Sequence, residues 1–285
     1  MIKTILVPTD YSTNAHQALK YAMELAEKTG AKIILLHIYY LPIYVGDLPV
    51  DPIAEESLRI DAKESLETYR KEHASSSPNI EIECVVKAGK IIETIVKEAK
   101  ERNIDMIIMG TKGASGISEV IFGSNTEEVI VKTKVPLLAI PENGVYKGIS
   151  NIVFSTNYHF SDLDVIEQLC EVAKLFNAHI TVVHIGDGEF KHEFEYNMLD
   201  SFRAKVKERI SYENVSFKLI EGNDVYQGLN NFVHENKTDI LCLSSHKNGL
   251  FNRLFGKSIT KRLAYHTDIA LLIFMIKQDD EITEF

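Results

Sequence analysis

The chain has 285 residues, 45% of them hydrophobic and 25% charged, with three cysteines and no tryptophan. That length suggests about two domains, each large enough to bury a core without disulfides, and the composition excludes collagen-like, disordered and disulfide-stapled chains. The net charge of −10, negative in both halves, argues against nucleic acid and anionic membranes as partners, since both call for a basic footprint.

Residues 5–8 are a short apolar run, as expected of a strand buried on both faces. Ala18, Leu19, Ala22, Leu25 and Ala26 follow at helical spacing, and Gly30 stands at the C′ position of that helix. Residues 32–38 read as a second strand. Residues 53–73 read as a polar amphipathic helix, ended by Ser75-Ser76-Ser77-Pro78. Residues 80–86 read as a third strand, 91–99 as helix, 105–109 as strand, 124–131 as helix and 135–140 as a last strand. The order βαβαβαβαβ implies a parallel, doubly wound sheet. Such a sheet binds ligands beyond the carboxyl ends of its strands, at the topological switch point.

The same plan then recurs. Ile5-Leu6-Val7-Pro8-Thr9-Asp10-Tyr11-Ser12 matches Ile152-Val153-Phe154-Ser155-Thr156-Asn157-Tyr158-His159 at an offset of 147, which holds through the second strand. Near the ends, Thr133-Lys134-Val135-Pro136-Leu137-Leu138 matches Thr267-Asp268-Ile269-Ala270-Leu271-Leu272 at an offset of 134. So long a period means a duplicated domain rather than a solenoid. The expected domains are 1–146 and 147–285. No stretch approaches the ~20 apolar residues of a membrane span, and the first apolar run is too short for a signal peptide. Cys84, Cys170 and Cys242 lack metal-like spacing and sit in apolar contexts, so free thiols in the cytoplasm are expected.

The motif that carries chemistry follows the fourth strand. Gly110-Thr111-Lys112-Gly113 is separated by nine residues from Gly123-Ser124-Asn125-Thr126, which opens a helix. Glycines at a strand end allow close backbone approach, and a helix start presents free N–H groups and a positive dipole end to an anion. Ser124 and Thr126 add hydroxyls. The spacing is neither a Walker P-loop nor a Rossmann fingerprint. By physics alone, phosphate binding and purely structural turns and caps stand about even.

The repeat unit and this motif resemble the universal stress protein family over essentially the whole chain, as two tandem domains. Gly110, Gly113, Gly123 and Ser124 reproduce the family's G-x2-G-x9-G-[S/T] pattern, and Asp10 matches its first-strand aspartate. The resemblance implies an adenine-nucleotide alpha hydrolase-like α/β fold: two five-stranded parallel-sheet domains arranged as a pseudo-two-fold pair. It implies an adenine nucleotide, ATP with Mg²⁺, as ligand of the first domain. Pro8, Thr9, Asp10 and Ile38 would lie by the adenosine. Met109, Gly110, Lys112, Gly113, Gly123, Ser124, Asn125 and Thr126 would lie by the phosphates. It also implies pairing of the two last strands within one chain, with a second chain able to pair again.

The second copy departs from the pattern. Asn157 replaces the aspartate, Ser244 and Lys247 replace the first two glycines, and Lys257 intervenes between Gly256 and Ser258. One competent and one degenerate site are expected. Asp10 reads as a ligand group or as a turn-stabilising carboxylate. His37 and His184, at matching strand ends, read as satisfied histidines rather than metal ligands. Lys112 either reaches phosphate or is solvated, and Glu127 and Glu128 must point away from a triphosphate. No catalytic set is evident, so the expected function is a nucleotide-dependent stress or signalling module. Slow ATP hydrolysis at the same site and a nucleotide-independent scaffold or carrier are the alternatives.

Overall fold

The structure, a computed structural model, describes residues 2–41, 52–74, 77–111, 124–186, 192–222, 224–246 and 269–276. The chain divides into two compact units between Glu142 and Asn143.

The first unit runs β1 (Thr4–Thr9), α1 (Thr13–Thr29), β2 (Lys32–Tyr39), α2 (Pro52–Ala74), β3 (Ile82–Ala88), α3 (Ile91–Glu101), β4 (Met106–Gly110), α4 (Ser124–Lys132), β5 (Leu137–Ile140). Its strands lie in the order β3-β2-β1-β4-β5, all parallel. The chain moves outward from β1 to β3, then crosses back to β4. The crossover puts the switch point between β1 and β4. Ile5, Leu6, Val7, Ile33, Leu35, Leu36, Ile107 and Ile108 are wholly buried, which is why these strands read as unbroken apolar runs. Ser12 caps the start of α1, accepting from the Ala15 N–H, and Gly30 ends it in the left-handed region at φ 71°.

Three strand boundaries differ by two residues from the sequence expectation. The third strand begins at Ile82 rather than residue 80, because residues 77–80 form a turn closed by the Ile80 N–H on the Ser77 carbonyl. It extends to Ala88, since Lys87 and Ala88 pair with Ile38 and Tyr39. The last strand begins at Leu137 rather than residue 135. Pro136 has no N–H to donate to a ladder, although its carbonyl still accepts from Ile107.

The second unit repeats the plan: β6 (Asn151–Ser155), α5 (Asp162–Phe176), β7 (His179–Gly186), α6 (His192–Arg209), β8 (Val215–Glu221), α7 (Val225–Glu235), β9 (Ile240–His246), β10 (Ala270–Ile276). Its order is β8-β7-β6-β9-β10, again parallel. The duplication extends to single hydrogen bonds. Asp105 Oδ2 accepts from the Lys3 and Thr4 N–H groups, and Asp239 Oδ2 accepts from those of Ser150 and Asn151. Asn177, at φ 52°, takes the left-handed place of Gly30. No helix among the described residues is long and apolar enough to cross a membrane. The three cysteines are free, and burial pushes the thiols of Cys84 and Cys170 up to about 11 each.

One feature of the first unit is not repeated. Along β2, β3 and α3, six charges close on one another. Lys32 pairs with Glu81 and Glu83, Arg102 with Glu83 and Glu98, and Lys87 with Glu98. Glu98 is 3% exposed. Burial works to raise its carboxyl pKa, but the hydrogen bonds from Lys87 and Arg102 overcome this and hold it below the ordinary range. A depressed carboxyl pKa contributes stability that is present above the unfolded value of about 4.3 and lost as pH falls through the folded one. Glu98→Gln is therefore expected to lower the melting temperature near neutral pH and to flatten its decline on acidification. Thermal melts across the carboxylate range check this, and an unchanged acid limb would contradict it.

Candidate functional site

The site expected from sequence lies at the carboxyl edge of β1, β2 and β4. The β1–β4 register pairs Ile5 with Met106 and Leu6 with Ile107, which sets Thr9 level with Gly110. Thr9 also pairs with His37 of β2, leaving Ile38 one residue beyond.

The loop after β1 is held by its own side chains. Thr9 Oγ1 accepts from the Tyr11 N–H at 3.1 Å, and Asp10 Oδ1 accepts from the Ser12 N–H at 3.1 Å. Asp10 thus forms the turn that delivers the Ser12 cap, with its carboxylate exposed beside the strand end. Tyr11 sits at φ 64°, a left-handed conformation uncommon for a bulky residue. Its ring lies 4.5 Å from that of His37, whose Nδ1–H donates to the Thr9 carbonyl at 3.0 Å. Burial pushes the Tyr11 hydroxyl up to about 12. His37 is a satisfied positioning group here, as its place in the sequence suggested.

The β4 end faces the start of α4. Thr126 Oγ1 donates to the Gly110 carbonyl at 2.9 Å, tying the strand end to the helix start. Gly110 has no room for a side chain: a Cβ there would lie 2.8 Å from Asn14 Cγ and 3.0 Å from the Asn14 carbonyl carbon. The missing side chain lets the first turn of α1 close on the end of β4. Thr111 donates its N–H to Ile140, yet its Oγ1 is buried with no hydrogen-bond partner among the described residues. The first N–H groups of α4, at Ser124, Asn125 and Thr126, have no intrahelical acceptors. Glu128 pairs with Lys132 along the exposed side of α4. Met109 is buried beneath this edge. Lys112, Gly113 and Gly123 lie outside the described residues, as do Lys247, Gly256, Lys257 and Ser258.

Sequence reasoning missed Tyr11, Asn14 and Thr111. A signal existed for Tyr11, which recurs as Tyr158 at the 147-residue offset. Beside Tyr11 runs a groove of about 700 Å³, bounded also by Asp61, Glu64, Tyr69, Glu72 and His73. Its three carboxylates repel phosphate.

The second unit reproduces the loop and adds a buried carboxylate beside it. Tyr158 takes φ 63°, its ring lies 4.4 Å from His184, and His184 Nδ1–H donates to the Thr156 carbonyl at 2.8 Å. Asp162, wholly buried at the start of α5, accepts from Thr156 Oγ1 at 2.6 Å and from Ser244 Oγ at 2.7 Å. Ser244 stands where the first unit has Gly110. Asp162 thus ties the start of α5 to the ends of β6 and β9, where the first unit has the close approach of Asn14 to Gly110.

Comparison with known proteins identifies relatives of this chain. The profile of the Universal stress protein family matches residues 1–141. A universal stress protein of Methanocaldococcus jannaschii is 30% identical, the match covering 49% of this chain and 95% of that protein. The chain belongs to the universal stress protein family. A second universal stress protein, from Synechocystis sp., is 22% identical over 96% of this chain and all of that one. The crystal structure of a universal stress protein from Archaeoglobus fulgidus aligns over 95% of this chain and 98% of that one, at a TM-score of 0.73 and 19% identity. The universal stress protein fold therefore accounts for both units.

Proposed function

We propose that the first unit of this universal stress protein binds an adenine nucleotide, ATP foremost, and that occupancy of this site is the signal it carries in a cytoplasmic stress response. The observation that supports this best is the Thr126–Gly110 bond beside the orphaned Thr111 hydroxyl. It holds the N–H groups of α4 beside the strand end from which the G-x2-G-x9-G-[S/T] motif departs. The adenosine would lie toward Pro8, Thr9, Asp10 and Ile38. The phosphates would lie toward Met109, Gly110, Lys112, Gly113, Gly123, Ser124, Asn125 and Thr126. Mg²⁺ would enter with the triphosphate, whose oxygens would ligate it. The second unit is read as nucleotide-free, because Asn157, Ser244 and Lys247 replace the aspartate and the first two glycines of the motif.

Calorimetric titration with Mg²⁺–ATP tests the reading. One site per chain is expected, abolished by Gly123→Val and untouched by Lys247→Glu. At a hundredfold excess over Kd the nucleotide should stabilise the first unit by about 2.7 kcal/mol, a rise of roughly 5–10 °C in its melting midpoint. The same samples report any phosphate release. No heat and no thermal shift at millimolar ATP would sink the proposal.

A further inference from the structure

The place where the first unit holds its six-charge cluster is different in the second unit. The β2–β3 register sets Ile34 beside Glu83, and the matching β7–β8 register sets Thr181 beside Ser216. By the same alignment, Lys32 corresponds to His179, Val85 to Lys218, Glu98 to Phe232 and Ile104 to Thr238. Where paired charges fill the first unit, a cavity of about 310 Å³ opens in the second. It lies at the amino ends of β6, β7 and β8, the opposite edge of the sheet from Thr156 and Ser244. Every side chain that lines it belongs to the second unit.

Its lining is chemically specific. A doubly wound sheet normally buries apolar side chains under its helices, yet this patch presents hydroxyls, an imidazole and an ammonium. The two ring nitrogens of His179 lie 3.2 Å from Asn214 Oδ1 and 2.7 Å from Ser216 Oγ. Thr181 Oγ1 accepts from Ser216 Oγ at 3.4 Å. Thr238, 7% exposed, keeps its Oγ1 buried with no hydrogen-bond partner among the described residues, at the position where the first unit has buried Ile104. Buried hydroxyls are normally bonded, so this unpaired one leaves unused hydrogen-bonding capacity beside the cavity, which a turn of its side chain would present to a ligand. Lys218 places its ammonium 4.9 Å above the Phe232 ring. Among the described lining residues it is the only Lys, Arg, Asp or Glu, and although its side chain is exposed, it makes the one full charge of the wall positive.

We infer that this cavity is a binding site for a small hydroxylated carboxylate. The carboxylate meets Lys218, and the ligand's hydroxyls meet Thr238, Ser216 and Thr181. The volume is at the lower end of ligand pockets, well above that of a single water and suited to a short sugar acid. This site is independent of the nucleotide reading.

The test is amide NMR of the full chain titrated with gluconate, with sorbitol as the uncharged control. A ligand this small is expected to bind in the millimolar range. Gluconate should move the amides of Thr181, Ser216, Lys218 and Thr238, and sorbitol at the same concentration should not. Lys218→Gln should weaken binding about tenfold, the scale of one charge-assisted hydrogen bond. Thr238→Val should weaken it severalfold without lowering the melting temperature, because the hydroxyl it removes has no protein partner. No shift at roughly 50 mM gluconate, far above that range, would overturn the inference. Equal shifts from sorbitol would overturn it too, as would unchanged affinity in either variant.

Discussion

Gly110→Ala is expected to lower the melting midpoint of the first unit by roughly 5–10 °C and to abolish ATP binding there. The added methyl would sit 2.8 Å from Asn14 Cγ, 2.9 Å from Asn14 Nδ2 and 3.0 Å from the Asn14 carbonyl carbon. A long flexible side chain could swing aside, but Asn14 is 4% exposed in the first turn of α1, and one of the three contacts is backbone. The strain must be relieved by moving α1 against β4. Overpacking of this kind costs about 1–3 kcal/mol, which converts to the stated shift for a unit of this size. Binding suffers because the same displacement separates the β1 loop from the α4 start. Adding Asn14→Ala removes two of the three close contacts and should restore part of the stability. Melting curves of the single and double variants, with calorimetry alongside, decide the matter. A Gly110→Ala chain that melts like the parent would show that the close approach does not exist in solution.

Replacing Asp162 should give the largest loss in the second unit. Its carboxylate is wholly buried and accepts two hydroxyl hydrogen bonds, from Thr156 and Ser244. It also lies in the first turn of α5, where a negative charge meets the positive end of the helix. Asp162→Ala leaves both hydroxyls to find new acceptors inside the unit and opens a void. Bonds to a buried charged acceptor are worth about 1.5–3 kcal/mol each, so a loss of about 3–4 kcal/mol is expected. That corresponds to a fall of roughly 10–15 °C in the midpoint of the second unit. Asp162→Asn keeps the volume and one carbonyl acceptor, so its cost should be about half as large. Ser244→Ala removes one donor and leaves the Thr156 bond, and should cost about 1 kcal/mol. Equal midpoints for the alanine and asparagine variants would mean that volume rather than hydrogen bonding holds this edge together.

Some of this was legible in single stretches of sequence. Residues 5–8, 32–38 and 105–109 are continuous apolar runs because their strands are covered on both faces, so composition alone reveals them. Gly30 marks the end of α1 because the left-handed turn there suits a residue without Cβ. The 147- and 134-residue offsets announce a second copy, and Asp105 and Asp239 repeat the same pair of backbone bonds. Strand ends were less legible. Residues 80 and 81 read as strand by side chain alone, whereas pairing with β2 begins the strand at Ile82.

The contents of the second unit's two edges needed the tertiary structure. In the linear sequence Ser244 is only a missing glycine; 82 residues separate it from Asp162, and only the sheet brings their side chains within hydrogen-bond distance. Likewise Lys32, Glu83, Glu98 and Arg102 read as scattered surface charges, and His179, Ser216, Phe232 and Thr238 as unremarkable polar and apolar positions. Each set meets only when the register of two strands and the docking of one helix are fixed together. The sequence by itself determined the strand–helix order and the duplication, because local burial and spacing encode them, and its glycine motif carried the resemblance to the family. Only the tertiary structure decided which side chains meet the buried Asp162 carboxylate and which end of the second sheet stands open, because long-range contacts leave no periodic trace in the chain.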